Sequence, residues 1–196
     1  MAVPDLRTRI VGALSDLGSA SSDFDLNKSI QPNNLTQTPA AVLVAFRPVL
    51  DTVILTKRSA RLKHHPGQIA FPGGKQDPTD KSLTDAALRE ANEEIGLPLG
   101  IVDVLGSLPT HQTVTGYQVT PIVGILTQDF EPTREEGEVS EIFEVPIAHL
   151  ANPSNYRIEG RYWRGQLRQY YAVPYGPYYI WGATARILRG LADRLS

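Results

Sequence analysis

The sequence predicts a mixed α/β layered domain on three observations. Short β-branched runs lie on both sides of one central helical segment, a second helical pattern closes the chain, and no internal repeat or low-complexity tract interrupts them. The 196 residues suffice for one domain with a substantial core, and 41% hydrophobic with 20% charged residues is ordinary globular composition.

The elements follow in order. Residues 5–17 place Leu6, Ile10, Val11, Leu14 and Leu17 at helical spacing. The next stretch, "GSASSDFDLNKSIQPNNLTQTP", is polar and rich in Ser, Asn and Pro, and reads as a surface loop or arm. "AAVLVAF" and "TVILTKR", separated by "RPVLD", read as a hairpin. "QIAF" is a strand that Pro72, Gly73 and Gly74 break into a sharp turn. A helix from Leu83 to Ile95 follows, started by a capping arrangement of Ser82 and Asp85 and stopped by Gly96 with Pro98 beyond. Strands are expected at "IVDVLGSL" and "YQVTPIVGIL", and a loop, a strand and a short helix at "EEGEVSEIFEVPIAHL". "YRIEGRYWRGQLRQYYAV" reads as a further hairpin and "GATARILRGLADRL" as the closing helix.

Composition narrows the function. Without cysteine there are no disulfides, thiolate metal sites or cysteine nucleophiles. A net charge of −2 gives no general positive field for nucleic acid or an anionic membrane, so an anionic substrate must be met by local cations. No run approaches the roughly 18–20 apolar residues of a membrane span, the first residues lack the apolar segment of a secretory signal, and the final "RLS" is not a peroxisomal address. The expectation is a soluble cytoplasmic protein acting on a small molecule, with neither nucleic acid nor membrane as partner.

The central helix carries the chemical signal. Glu90, Glu93 and Glu94 crowd its last turns, where the helix dipole already opposes them and where they repel one another by a few tenths of a kcal/mol or more each. Glu90 stands seven residues after Leu83 and Glu94 seven after Ala87, so the acids continue a stripe that begins as core-facing, all three on one side. A solvated acidic face is the ordinary explanation of such a run. The inward stripe argues against it, since Arg89 alone cannot neutralise three carboxylates, and a hard divalent cation, Mg²⁺ or Mn²⁺, with oxygen ligands would. A carbonyl from the adjacent Gly-Gly turn could join them.

These residues resemble the Nudix box, G-x5-E-x7-R-E-U-x-E-E-x-G-U, at Gly74, Arg89, Glu90, Glu93, Glu94, Gly96 and Leu97. Two positions depart from it. Asp80 replaces the first Glu and lies one residue further from Arg89, and Ala91 takes the first aliphatic position. Upstream, "ILTKRSARLKHHPGQIAFPGG" is similar to the signature of Nudix coenzyme A pyrophosphatases, with Lys63 in place of an Arg; "GYQVTPIVG" and "WGATARIL" also resemble that subfamily. The resemblance covers about Ala40 to Leu191. It implies a Nudix-type mixed β-sheet sandwiched between helices, with residues 1–38 an N-terminal helix and arm packed on a Nudix domain of residues 39–196.

The implied reaction is metal-dependent hydrolysis of coenzyme A or a derivative to 3′,5′-ADP and 4′-phosphopantetheine or its acyl form. By the same resemblance Glu90, Glu94 and the Gly74 carbonyl are metal ligands, and Glu93 holds a second metal or orients water. Arg89 orients an acid of its own helix, and Arg58, Lys63 and Phe71 meet the substrate. Glu138, with Glu141 behind it, is the candidate general base, against the alternative of a solvated acidic loop. His64, His65 and His111 are read as non-catalytic, and Trp181 and the pairs Tyr170–Tyr171 and Tyr178–Tyr179 as core or dimer packing; a homodimer is left open. The rival readings are a Nudix diphosphatase acting on ADP-ribose, NADH or a nucleoside triphosphate, and a catalytically silent Nudix-fold binding module. The upstream signature disfavours the first, and the intact acids disfavour the second.

Overall fold

A computed structural model describes residues 5–15, 18–28, 37–163 and 165–195. In chain order the elements are α1 (Leu6–Ser15), β1 (Ser21–Ser22), β2 (Thr38–Arg47), β3 (Thr52–Arg58), β4 (Ile69–Ala70), β5 (Gly73–Lys75), α2 (Leu83–Ile95), β6 (Val102–Ser107), β7 (His111–Gln112) and β8 (Tyr117–Leu126). There follow β9 (Val139–Pro146), α3 (Ile147–Leu150), β10 (Arg157–Trp163), β11 (Gln166–Tyr175), β12 (Tyr178–Trp181) and α4 (Ala183–Leu195). Among the described residues nine strands form one mixed sheet, ordered β1-β7-β8-β2-β3-β4, with β5 added beside β2, β6 beside β8 and β9 beside β3. The other three form a second antiparallel sheet, β10-β11-β12.

The frame is the parallel pair β2 and β8, in register from Thr38↔Tyr117 to Phe46↔Ile125. Both faces of β2 are covered, which is why "AAVLVAF" is continuously apolar. Ala41, Leu43 and Ala45 face Ala86, Ala87, Ala91 and Ile95 of α2. The alternate residues Val44 and Phe46 belong to the opposite core with Ile10 of α1 and Ile187, Leu188 and Leu191 of α4. The sheet is therefore sandwiched between helices, as expected. The alanines on both α2 and β2 let the helix approach the sheet closely, and this sets the depth of its last turns.

Several expectations are corrected. β2 and β3 form a hairpin only beside the turn, at Phe46↔Val53 and Arg47↔Thr52. Beyond it the strands splay, because β5 takes the edge of β2 and β4 takes the facing edge of β3, while β9 pairs along the other edge of β3. Arg47, 7% exposed, holds the splay point through Asp129 at 2.6 Å, Glu144 at 2.5 Å and the Phe130 carbonyl at 3.0 Å. The segment after Pro72 is not a free turn, since Gly73–Lys75 pairs with Ala40–Val42. The 156–173 hairpin gains a third strand, β12, beyond the two expected.

The described part of the N-terminal arm is tied down. β1 pairs in parallel with β7, and the fully buried His111 bonds to Ser21 Oγ at 3.0 Å and Asp23 Oδ1 at 3.1 Å. Asn27 plays the part of a strand residue: its Nδ2 donates to the Gln169 carbonyl at 2.9 Å and its Oδ1 accepts the Gln169 N–H at 2.8 Å. Leu17, the last position of the expected first helix, lies outside the described residues, as does the arm from 29 to 36.

Candidate active site

α2 begins and ends where its residues dictate. Ser82 Oγ accepts the Asp85 N–H at 3.1 Å, and Gly96 closes the helix at φ 67° with its N–H on the last carbonyls. Carbonyls of the last turn are met by the loop before β9, through Thr133 N–H to Ile95 O and Glu135 N–H to Glu94 O, both at 3.0 Å. That docking brings Glu138 to the same end of α2. The Ser59 N–H, donated to the Glu138 carbonyl at 2.7 Å, ties it to the end of β3 beside Arg58.

The three acids do not share one environment, which corrects their placement on a single side. Glu94 is 3% exposed, whereas the Glu93 side chain is 57% exposed. Glu94 Oε2 accepts the Gly73 N–H at 3.1 Å, and its other oxygen lies 3.8 Å from the Arg58 guanidinium. Burial pushes the Glu94 carboxyl up to about 7, against the pull of the Gly73 N–H and Arg58, with Glu90 and Glu138 raising it further. Burial raises Glu90 as well, opposed by Arg89, and the charges of Glu93 and Glu138 add to the rise. Glu138 is thus electrostatically coupled to both carboxylates although its own side chain is exposed.

The glycines fit these acids one by one. A Cβ on Gly74 would stand 2.6 Å from the Glu90 carboxyl carbon, so only glycine leaves that carboxylate its place. A Cβ on Gly73 would meet the Ala41 carbonyl at 2.4 Å, and its φ of 152° disfavours any side chain. Hydrogen bonds from Leu43 N–H to Pro72 O and from Gln76 N–H to Pro39 O fix the alternation along β5. Gly74 therefore falls in the hydrogen-bonded pair with Ala41, and Gly73 turns its groups to the other edge, where its N–H meets Glu94. The Gly74 carbonyl expected as a metal ligand is engaged in the ladder. The Gly73 carbonyl is the one that lies outside the β2–β5 ladder, next to the N–H that meets Glu94.

Asp80 gains a definite role. Arg89 grips it with a two-pronged contact, Nε to Oδ1 and Nη2 to Oδ2, both at 2.9 Å. From there the guanidinium reaches Glu90 and Glu93, both at 3.0 Å. Asp80 foremost, and then Glu90, hold Arg89 well above its ordinary value. Arg89 is thus bonded to two acids of its own helix. The anchor for that guanidinium is the acid whose shifted spacing made its part illegible.

Other positions fall outside this cluster. Phe71 is 2% exposed and belongs to the core, and a substrate contact would require it to leave that core. Lys63 is exposed in the loop between β3 and β4. Glu141 accepts the Tyr178 hydroxyl, while the Tyr178 ring stacks on Phe143 at 3.6 Å, so this carboxylate is part of a packing pair. Among the described residues no three His, Asp or Glu side chains form a closed metal cage.

The family model for the NUDIX domain matches residues 36–164. A protein of Escherichia coli O7:K1 (strain IAI39 / ExPEC), named an uncharacterized Nudix hydrolase NudL, is 44% identical over 168 residues, 85% of this chain and 88% of its own. The chain belongs to the Nudix hydrolases. A protein of the same name from Shigella boydii serotype 18 is similar to this Nudix chain to the same extent, 44% over 168 residues. The crystal structure of MutT protein from Methanosarcina mazei Go1 shares the Nudix fold with a TM-score of 0.53 at 18% identity, covering 83% of this chain and 95% of that one.

The arrangement suits a divalent cation on chemical grounds. Glu94 is a buried carboxylate facing one backbone N–H and a guanidinium at the far limit of an ion pair, Glu90 sits in a cradle that a Cβ would fill, and every donor is a hard oxygen. Mg²⁺ in particular is held by one or two carboxylates, with water and substrate phosphate completing its shell, and needs no closed cage.

Proposed function

We propose that this Nudix hydrolase splits the diphosphate bond of coenzyme A or a derivative by addition of water, releasing 3′,5′-ADP and 4′-phosphopantetheine or its acyl form. The observation that carries the reading is the continuity of the segment from Ile54 to Gly74. It matches the coenzyme A signature, and in the fold it runs from Arg58, 3.8 Å from Glu94, to the glycines that hold Glu94 and Glu90. The segment similar to that signature and the cluster of glycines and acids thereby meet at one point.

Glu90, Glu94 and the Gly73 carbonyl would hold Mg²⁺ or Mn²⁺. When bound, such a cation supplies charge neutralisation on the diphosphate oxygens and lowers the pKa of a bound water. The remaining work falls to this chain. Arg58, once its partner Glu94 is engaged elsewhere, offers a fork of donors to a phosphate oxygen, and Lys63 a point charge further along the same loop. Glu138 accepts the proton of the attacking water at a carboxylate oxygen, since the loop that carries it is pinned to both α2 and β3. Arg89, fixed by Asp80, keeps Glu90 and Glu93 oriented and acts as a positioning residue.

The test is a product assay with Mg²⁺ or Mn²⁺ and, separately, coenzyme A, ADP-ribose, NADH and GTP, each analysed by mass. Release of 3′,5′-ADP from coenzyme A in preference to turnover of the others is expected. Clear turnover of ADP-ribose, NADH or GTP with none of coenzyme A would overturn the substrate assignment in favour of another Nudix diphosphatase activity. Failure to turn over any of the four would favour the silent binding module.

A further inference from the structure

We propose that the chain forms a two-fold dimer by antiparallel pairing of strand β10 with β10 of a second copy, centred on Gly160. The inference is independent of the substrate. It starts from an edge: β10 closes one side of the three-stranded sheet, and among the described residues β11 is its only strand neighbour. The strand is solvent-exposed almost throughout, and Ile158 and Tyr162 of β10, with Leu167 of β11, stand 52%, 75% and 50% exposed on one face. An open edge with flanking apolar side chains is a site for strand addition.

The direction of the backbone groups can be read from Asn27. Gln169 of β11 gives both its N–H and its carbonyl to Asn27, so both point away from β10. Gly160, opposite Gln169, therefore lies in a non-hydrogen-bonded pair, and its own N–H and carbonyl point outward. So do those of Ile158 and Tyr162, two residues to either side. Antiparallel pairing about Gly160 matches these three outward positions to their counterparts, Gly160 to Gly160 and Ile158 to Tyr162, adding about six backbone hydrogen bonds.

The side chains select this register. On one face Ile158 meets Tyr162 of the second copy. On the other, Glu159 meets Arg161 and Arg157 meets Trp163, an ion pair and a cation–π pair, each repeated by the two-fold. Glu159 is held in place for this by the Tyr179 hydroxyl, 2.5 Å from Oε2, which leaves Oε1 to the partner. Sliding by two residues one way sets Glu159 against Glu159, and the other way Arg161 against Arg161. Like charges directly opposite oppose both slips, so the edge is complementary to itself in a single alignment.

Light scattering coupled to size exclusion, across a range of concentrations, should give a mass twice the 21.5 kDa of one chain for the wild type. Arg161→Glu should reduce that mass to one chain, and the double exchange Glu159→Arg with Arg161→Glu should restore it, because the swapped charges again face each other across the axis. Since the chain has no cysteine, Gly160→Cys under mild oxidation should yield a covalent dimer through that residue alone. A wild type of one-chain mass at every concentration overturns the proposal. So does an Arg161→Glu variant that remains dimeric, or a folded double variant that stays monomeric. Should either charge variant fail to fold, the Gly160→Cys cross-link decides, and its absence overturns the proposal.

Discussion

Glu94 is where the demands of folding and of chemistry diverge most sharply among single residues. Its carboxyl is raised to about 7 by burial, against an ordinary value of 4.5. The folded state therefore holds a proton that the unfolded chain has released, and stability falls as pH climbs from about 4.5 to about 7, with the whole penalty present above that. A shift of this size corresponds to about 3 kcal/mol. In chelator, Glu94→Gln should melt above the wild type at pH 8 and together with it at pH 5, while hydrolysis is lost; melting curves that stay parallel across this range would refute the assignment. The two glycines should part company as well. Gly73→Ala meets backbone and should cost about 3 kcal/mol in denaturant unfolding. Gly74→Ala first meets the Glu90 carboxylate, so stability should stay within about 1 kcal/mol while turnover falls about 100-fold; equal effects in both assays would contradict the cradle. The acids and glycines were legible in the sequence because their spacing is local. Which glycine carbonyl lies outside the β2–β5 ladder was not, since it depends on the register of β5 against β2, set by residues about thirty positions away.

Among the elements, α2 was readable from residue to residue: the expected bounds at Leu83 and Ile95, the Ser82 cap and the left-handed Gly96 all hold. Capping and stop signals act over a single turn, so sequence suffices for them. The β2–β3 hairpin was read correctly at its turn and incorrectly along its length, because the neighbours that splay it, β4 and β5, are chosen by tertiary pairing. The same holds for the arm, where nothing local announces that Asn27 will stand in for a strand. Asn27→Ala leaves the Gln169 N–H and carbonyl without their partner and should lower stability by about 1–3 kcal/mol, read by chemical denaturation. An unchanged midpoint would show that the arm is not held there.

For the molecule as a whole, a mixed α/β layered domain was foreseen from the order of apolar runs and the sandwich of sheet and helices from the family resemblance, whereas the second sheet was not, since its third strand "YYIW" is too short to carry a period. A ligand that binds the folded state alone stabilises the entire domain. Mg²⁺ or Mn²⁺ at about 100 times its dissociation constant should therefore add about 2.7 kcal/mol to unfolding, and Glu90→Gln should abolish the increment. No change in melting temperature on adding either ion to the wild type would count against a metal site between α2 and β5. The Asn27 contact has a consequence of another kind. A small sheet open on both borders could recruit neighbours at each and grow into a filament. Here, among the described residues, the stretch of β11 that β12 leaves uncovered is occupied at Gln169 by an amide from the same chain. Strand addition along that stretch of β11 is therefore blocked, and a side chain from the N-terminal arm guards an edge built from the other end of the sequence.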